Sequence, residues 1–488
     1  MKLITNIPEF FNDISEEIRL FAPEASVFME GVNVICEDDG MSLNVNVSVN
    51  ESFSASAVFS MDGGSFSYTH TSPYRGGSDI IEKRYLKRCV KVAVFRAMRK
   101  AYPDKLIPWG SLTGIRPTRL LRELVLTEGH DEAMRLMREE FDVTESKIRL
   151  AEEINAVQKP ILESAGKNSF GVYVGIPFCR TRCLYCSFAS ELRTKKTDMG
   201  AYLKALCRDI ELGSLMAKAH GLSPRSFYMG GGTPTILTED ELDMLLDKLC
   251  SSYETAGKEF TVEAGRPDTI TAGKLKVMKA HGVTRVSVNP QTMCDATLRL
   301  VGRDHTSADI VRCFEEVRSI GFSSVNMDLI AGLPNETENE MRVSLEAVEK
   351  LSPECLTVHT LAIKRASRLN EHLDEYRLPS VDTVERMVAL GRETALRMGM
   401  EPYYMYRQKY MAGNLENVGY SKPDSICIYN IDMMEDSMSI LAHGAGAMTK
   451  RVWQGGGRIE RVPNPKDITT YIEKLEATQA AREKLFEQ

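Results

Sequence analysis

Cys179-Arg-Thr-Arg-Cys183-Leu-Tyr-Cys186 gathers three thiols within eight residues, directly after the apolar run Gly171-Val-Tyr-Val-Gly-Ile-Pro-Phe. No fourth ligand is near in sequence: the next cysteine is Cys207, and no histidine occurs between His130 and His220. A closed structural zinc site takes four protein ligands, and a complete cysteine-held iron–sulfur cluster also uses four. Three thiolates therefore predict a metal centre that keeps one iron open for a small molecule. Two plainer readings, three buried cysteines on a tight loop or an incomplete zinc knuckle, leave the polar motifs further along the chain without a role.

Such a loop needs a scaffold. From residue 171 onward short apolar runs alternate with longer amphipathic ones, the pattern of βαβ units and a parallel sheet. Strands are expected at 171–175, 225–229, 258–263, 284–288, 324–329 and 354–360. Helices are expected near 198–219, 238–252, 271–281, 306–319, 336–350 and 380–398. Six units are two short of a closed (β/α)8 barrel. In parallel α/β architectures reactive groups gather at the carboxyl ends of the strands, and the cysteine triad and the polar motifs all fall at or near such ends.

The C-x3-C-x2-C spacing, with Tyr185 before the last cysteine, resembles the signature of the radical S-adenosylmethionine (SAM) enzymes. That resemblance implies a [4Fe–4S] cluster on Cys179, Cys183 and Cys186, whose fourth iron binds the amino and carboxylate groups of SAM. It also implies splitting of the sulfonium into methionine and a 5′-deoxyadenosyl radical that takes hydrogen from a substrate. The cofactor would carry the hard chemistry, and the protein would supply position, dryness and electrostatics. The implied fold is α/β, a partial (β/α)6 barrel open on one side.

Further motifs fit a SAM site. Tyr228-Met-Gly-Gly-Gly-Thr-Pro-Thr235 follows the second strand, and its glycines let backbone approach a ligand and offer N–H groups to an anion. It resembles the family loop that meets the SAM amino group, with Gly231, Gly232 and Thr233 as contacts. Glu263 ends the third strand, where a carboxylate is costly to bury without a cation or donors. SAM would provide that compensation, and a salt bridge to Arg266 or Arg285 is the structural alternative. Gln291 follows strand four, Arg303 lies in Leu-Val-Gly-Arg-Asp-His, and Asp328 ends strand five, where an aspartate can take both ribose hydroxyls.

Taken together, Tyr173 with Ile176-Pro-Phe-Cys179, Gly231-Gly-Thr-Pro234, Glu263, Gln291, Arg303, Asp328-Leu-Ile-Ala-Gly-Leu-Pro334 and Ala362 resemble the oxygen-independent coproporphyrinogen III oxidases in order and approximate spacing. The resemblance covers about residues 171–450. Segments 108–119 and 405–420 are similar to the dehydrogenase branch that carries its own amino-terminal domain. Two departures stand out: Gly175 replaces a histidine before Ile-Pro-Phe-Cys, and Phe188 replaces a fourth cysteine. The resemblance implies that coproporphyrinogen III becomes protoporphyrinogen IX as two propionates turn into vinyls. It also implies a low-potential electron donor of the flavodoxin or ferredoxin type. No side chain beyond the cluster cysteines is assigned a catalytic role.

A tetra-anionic substrate calls for a local basic cluster in a chain of net charge −7. Lys364, Arg365 and Arg368 after the sixth strand, and Arg407 with Lys409 beside Tyr403, Tyr404 and Tyr406, are the candidates. The alternative is a solvated loop over core tyrosines. Two other functions compete. A haem-binding chaperone of the same superfamily is one, since Cys186-Ser-Phe lacks the fourth cysteine. The other, a radical SAM RNA-modifying enzyme, is disfavoured by the acidic balance and the lack of an RNA-binding module.

Bulk features bound the rest. A chain of 488 residues suggests two or three domains, placed at 1–165 (α+β), 166–400 (the partial barrel) and 401–488 (a short carboxyl-terminal extension). Residues 25–71 alternate in short runs, at Val32–Val34–Cys36, at Val45–Val47–Val49 and from Phe53 to Phe59, as in a small β-meander. Helices follow at 78–101, 117–125, 130–140 and 144–163, with Trp109 in a turn-rich connector. The amino terminus has no long apolar segment, no stretch reaches the ~18 apolar residues of a membrane span, and eleven cysteines without a secretory signal fit a reducing cytoplasm.

Overall fold

The computed structural model describes residues 1–23, 25–29, 40–74, 79–114, 116–188, 190–408, 411–453 and 458–487. The chain forms two compact units, Met1–Glu152 with Gly413–Leu415, and Glu153–Ala412 with Glu416–Gln488. The boundary falls inside helix Glu145–Glu163.

In the first unit a five-stranded sheet runs in the order Phe28–Met29, Lys2–Thr5, Ser42–Val49, Ser52–Met61, Gly64–Pro73. The last three strands form an antiparallel meander; the first two of these contain the expected runs at Val45–Val49 and Phe53–Phe59, and Gly64–Pro73 was not among the expected runs. Along Ser52–Met61 the alternate residues Phe53, Ala55, Ala57 and Phe59 are fully buried under helices Phe11–Phe21 and Asp79–Ala101, as period-two patterning requires. The strand Lys2–Thr5, too short to show a period, was not legible in the sequence. The run at Val32, Val34 and Cys36 lies outside the described residues. Trp109 is buried with no exposure, in keeping with a connector packed into the core.

The second unit holds the motifs. Six parallel strands, β1 (Ser169–Ile176), β2 (Ser223–Gly231), β3 (Glu259–Gly265), β4 (Arg285–Val288), β5 (Ser324–Ala331) and β6 (Cys355–Thr360), pair in chain order. Residues 401–463 extend both edges. On one side β7 (Glu401–Tyr406) and β8 (Asn417–Ser421) add antiparallel to β6. On the other, β9 (Ser439–His443) runs parallel to β1 and leads into the antiparallel pair β10 (Met448–Val452) and β11 (Ile459–Pro463). The resulting order is β7-β8-β6-β5-β4-β3-β2-β1-β9-β10-β11, an open α/β partial barrel.

Helices α1 (Met199–Ala219), α2 (Glu239–Ser252), α3 (Ala272–Ala280), α4 (Ser307–Ser319), α5 (Glu338–Leu351) and α6 (Val381–Arg397) alternate with the strands. Their starts are written locally. Thr238 with Glu241, Thr306 with Asp309 and Thr337 with Glu340 close reciprocal capping boxes. One strand face is apolar and buried, through Val172, Met229, Val262, Val286, Met327 and Val358. The opposite face, at the alternate positions, is polar, and it lines a cavity at the strand ends.

Candidate functional site

The cavity, of about 630 Å³, opens at the carboxyl ends of β1–β6, and its size is within the usual range for ligand sites. Its polar lining follows a period of two along the strands: Ser287 and Asn289 from β4 and its loop, Asn326 and Asp328 from β5, Thr357 and His359 from β6. Cys179, Cys183 and Cys186 line it, as do Tyr173, Tyr185, Gly231, Gly232, Thr233, Glu263, Gln291, Arg303, Asp328 and Ala362. Residues spread over nearly two hundred positions of sequence meet because most sit at or just beyond the same end of a parallel strand.

The cysteine loop is held from below. Leu184 is buried against Val301, Leu333, Leu361 and Leu369. Its amide donates to the Val301 carbonyl at 3.0 Å, and its carbonyl accepts from Leu369 N–H at 2.9 Å. Cys186 N–H closes a turn onto Cys183 O at 3.1 Å. Apolar anchoring of the middle residue leaves the three flanking thiols partly exposed toward the cavity. Among the described residues no three His, Cys, Asp or Glu side chains gather as ligands of a single metal ion. Cys179, Cys183 and Cys186 line one cavity, and Thr233 Oγ1 donates to Cys179 Sγ at 3.6 Å, the kind of contact that cluster sulfurs accept.

The glycine loop after β2 is needed first for packing. A Cβ on Gly232 would lie 2.5 Å from the Phe178 carbonyl oxygen, and one on Gly230 would lie 2.8 Å from the Glu263 carboxyl. The loop thus lies flush against the cysteine segment and leaves Glu263 its space. Neither Arg266 nor Arg285 pairs with that carboxylate. Arg266 forks onto Asp268 at 3.0 and 3.2 Å, and Arg285 donates to Cys355 Sγ and the Ser425 carbonyl. Glu263 accepts from the Tyr228 hydroxyl at 2.5 Å instead. Tyr228, Tyr173 and Tyr429 form a cluster of near-parallel rings, with the Tyr228 centroid 6.4 Å from Tyr173 and 4.6 Å from Tyr429.

Burial pushes the Glu263 carboxyl up to about 7, helped by the nearby Asp328 charge, while the Tyr228 hydroxyl and the Gly231 N–H pull the other way. A carboxyl with a raised pKa holds its proton more tightly in the native state. Its contribution to stability is therefore complete below the unfolded value of 4.5 and is lost as pH rises through 7. The neutral, isosteric Glu263→Gln is expected to be more stable than the parent at pH 8 by up to about 3 kcal/mol, with the gain vanishing near pH 4.5. Urea titrations of the ligand-free protein at pH 5, 6.5 and 8 measure this. A pH-independent difference would rule the assignment out.

Asp328 behaves oppositely. Burial alone would raise its pKa, but His359 beside it, with hydrogen bonds from Asn326 and Thr357, holds it below the usual carboxylate range. The His359 Nε2–Asp328 Oδ2 distance is 3.7 Å and the Asn326 Nδ2–Asp328 Oδ1 distance 2.8 Å. Next to it Gln291 adopts φ 68°, in the left-handed region. Its backbone accepts from Ile330 N–H at 2.9 Å and donates to Asp328 O at 2.8 Å, a bridge that maintains a sparsely populated conformation at the site. Arg303 is buried and donates to the Asn289 carbonyl at 2.7 Å.

The substrate candidates are placed differently. Arg365 is exposed and off the cavity wall, Arg407 is buried and also off it, and Lys409 lies outside the described residues. The cavity's cations are Arg182, Arg266, Arg303 and Lys364, four against the two carboxylates Glu263 and Asp328. Tyr404 and Tyr406 line it from β7, although Tyr403 is core. Asn326, Thr357 and His359 went unnoticed in the sequence. The available signal was polar residues at every second position of otherwise apolar parallel strands.

The radical SAM superfamily pattern matches residues 173–348. Over 418 residues the chain is 37% identical to the oxygen-independent coproporphyrinogen-III oxidase-like protein HemZ of Bacillus subtilis (strain 168), covering 84% of this chain and 83% of that protein. It is 35% identical to the heme chaperone HemW of the same organism over 194 residues, 39% of this chain and 50% of that protein. Among solved structures, coproporphyrinogen III oxidase (HemN) from Escherichia coli, a radical SAM enzyme, aligns with a TM-score of 0.52 at 23% identity, over 67% of this chain and 73% of that one. At that identity the likeness concerns the fold.

Proposed function

Because this chain belongs to the radical SAM superfamily and, within it, to the family of oxygen-independent coproporphyrinogen III oxidases and their like, we propose that it converts two propionates of coproporphyrinogen III to vinyl groups. The family's cofactors, a [4Fe–4S] cluster and SAM, are the cofactors of this chain. When bound, they supply a carbon radical able to abstract hydrogen. Each propionate would then give one β-hydrogen atom to that radical and one electron to an external acceptor, and release one CO2, leaving a vinyl.

The observation that carries this reading is convergence. The three cysteines and all ten SAM contacts implied by the motifs line one cavity, whose cations outnumber its carboxylates four to two in an acidic protein. In this reading Cys179, Cys183 and Cys186 hold the cluster. Glu263, Gln291, Arg303 and Asp328 orient SAM, with Tyr173, Tyr185, Ala362 and the Gly231–Gly232–Thr233 loop shaping its pocket. Arg182 and Lys364, which line the same cavity, would meet propionates, a role that charge-assisted pairing favours. Tyr404 and Tyr406 offer apolar faces to a macrocycle.

Haem binding is the second reading, supported by the identity with the heme chaperone and by Phe188, 70% exposed where a fourth cysteine was expected. One experiment separates them. The anaerobically reconstituted protein is given dithionite, SAM and coproporphyrinogen III, and products are read by mass spectrometry. Protoporphyrinogen with two CO2 per macrocycle is expected. Cleaved SAM without vinyl products, together with stoichiometric haem binding, would transfer the assignment to the second reading.

A further inference from the structure

The donors that reach the three cysteine sulfurs are unequal. Thr233 Oγ1 donates to Cys179, and the backbone N–H of Phe188 reaches Cys186. Both are neutral. The Arg182 charge also acts on Cys186, but Cys183 faces two further guanidinium groups. One is Arg303, which also faces the SAM pocket. The other is Arg266, whose Nη1 lies 4.0 Å from Cys183 Sγ and which no motif accounts for.

Arg266 is only 4% exposed, and its orientation is over-determined. Asp268 takes Nε and Nη2 in a fork, which turns the Nη1 edge away from the carboxylate and toward the cysteine loop. Nη1 also donates to Thr181 Oγ1 at 2.7 Å, two residues before Cys183. Asp268 is braced in turn by Arg180 at 3.7 Å and His305 at 3.5 Å. A fork of this rigidity fixes where the remaining edge points.

From this geometry we infer that Arg266 raises the reduction potential of the cluster, by presenting a charged N–H edge to a ligating sulfur. The inference rests on the reading of Cys183 as a cluster ligand. Adding an electron makes the cluster sulfurs more negative. A nearby cation in a buried setting stabilises that state more than the oxidised one, and hydrogen bonds and charge at the sulfurs are among the principal determinants of such potentials. The Asp268 carboxylate opposes this field, but it sits across the guanidinium from the sulfur, so the nearer positive charge prevails. Arg266 is accordingly a positioning residue that acts through Cys183.

The test uses reconstituted full-length protein and redox titration followed by electron paramagnetic resonance. Arg266→Gln is expected to keep its iron but to lower the reduced-to-oxidised ratio at fixed potential about tenfold, a fall of about 59 mV for one electron. Arg266→Lys should recover part of the shift. The double variant Arg266→Gln with Asp268→Asn, which leaves no stranded carboxylate, should show a smaller fall of the same sign. Full iron with an unchanged ratio overturns the inference, and so does loss of iron in all three variants, which would make Arg266 a loop brace. Failure of the underlying reading is seen separately: Cys183→Ala would then retain a normal cluster whatever occurs at Arg266.

Discussion

Cys183→Ala is expected to fold, to lose its brown colour and to cleave no SAM. The loop does not depend on that thiol for its structure. Leu184 supplies the buried anchor, two backbone hydrogen bonds fix it between Val301 and Leu369, and the Cys183 side chain is only partly buried at the cavity wall. Removing such a side chain leaves no sealed void, so the stability change should stay within about 1 kcal/mol. Among the described residues the site has no spare cysteine. The other cysteines of the second unit, Cys207, Cys250, Cys294, Cys313, Cys355 and Cys427, are absent from the cavity wall. Iron analysis, visible absorption and 5′-deoxyadenosine formation read the outcome together with a thermal melt. A variant that kept its colour and full SAM cleavage would remove Cys183 from the cluster.

The largest stability effect is expected far from the cysteines, at Asp209. This aspartate is 1% exposed and accepts from four donors: His443 Nδ1 at 3.1 Å, Gly444 N at 3.0 Å, the Tyr471 hydroxyl at 2.7 Å and the Arg482 guanidinium. Arg482 belongs to the last helix, Leu475–Glu487, and its other amino group reaches the Ala442 carbonyl and Asn464 Oδ1, both at 2.7 Å. One carboxylate therefore ties α1, the end of β9 and the carboxyl-terminal helix together. It also secures Gly444, the first residue of a loop whose Ala445, Gly446 and Ala447 line the cavity.

Burial by itself would raise the Asp209 pKa, but the Arg482 charge and His443 outweigh it and hold the group far below the usual range. Burial also holds His443 below its usual value, so its ring is neutral, donating to Asp209 and accepting from the Tyr253 hydroxyl at 2.9 Å. Asp209→Asn keeps the shape but strands a guanidinium with no solvent exposure, a break that costs about 3–5 kcal/mol in buried pairs. For a unit of this size that is a fall in Tm of roughly 10 °C. The pH dependence has a definite sign. With a depressed folded pKa, the Asp209 contribution is complete above about pH 4 and is lost as pH falls further. The parent should show this acid limb, and Asp209→Asn should lose the Asp209 share of it, giving a shallower one. A variant that melted with the parent at pH 7 would show that the network is not a stability hub.

Much of this was legible in one dimension. The six barrel strands and their helices stood out because period-two and period-3.6 patterns are local, and because Thr-x-x-Glu and Thr-x-x-Asp mark helix starts within four residues. The cysteine triad and the ten SAM contacts could be named from their motifs, most of which fall at or near strand ends that parallel topology brings together. What required the tertiary structure was the choice of partner. Glu263 meets Tyr228 and not Arg266 or Arg285; Lys364 reaches the cavity and its neighbour Arg365 does not; Asp209 finds Arg482 across 273 positions. Adjacent residues differ in fate because one dihedral step turns a side chain to the other face. A charge, in turn, is satisfied by whichever distant element the topology delivers to its tip, and neither outcome is encoded in any local window of sequence.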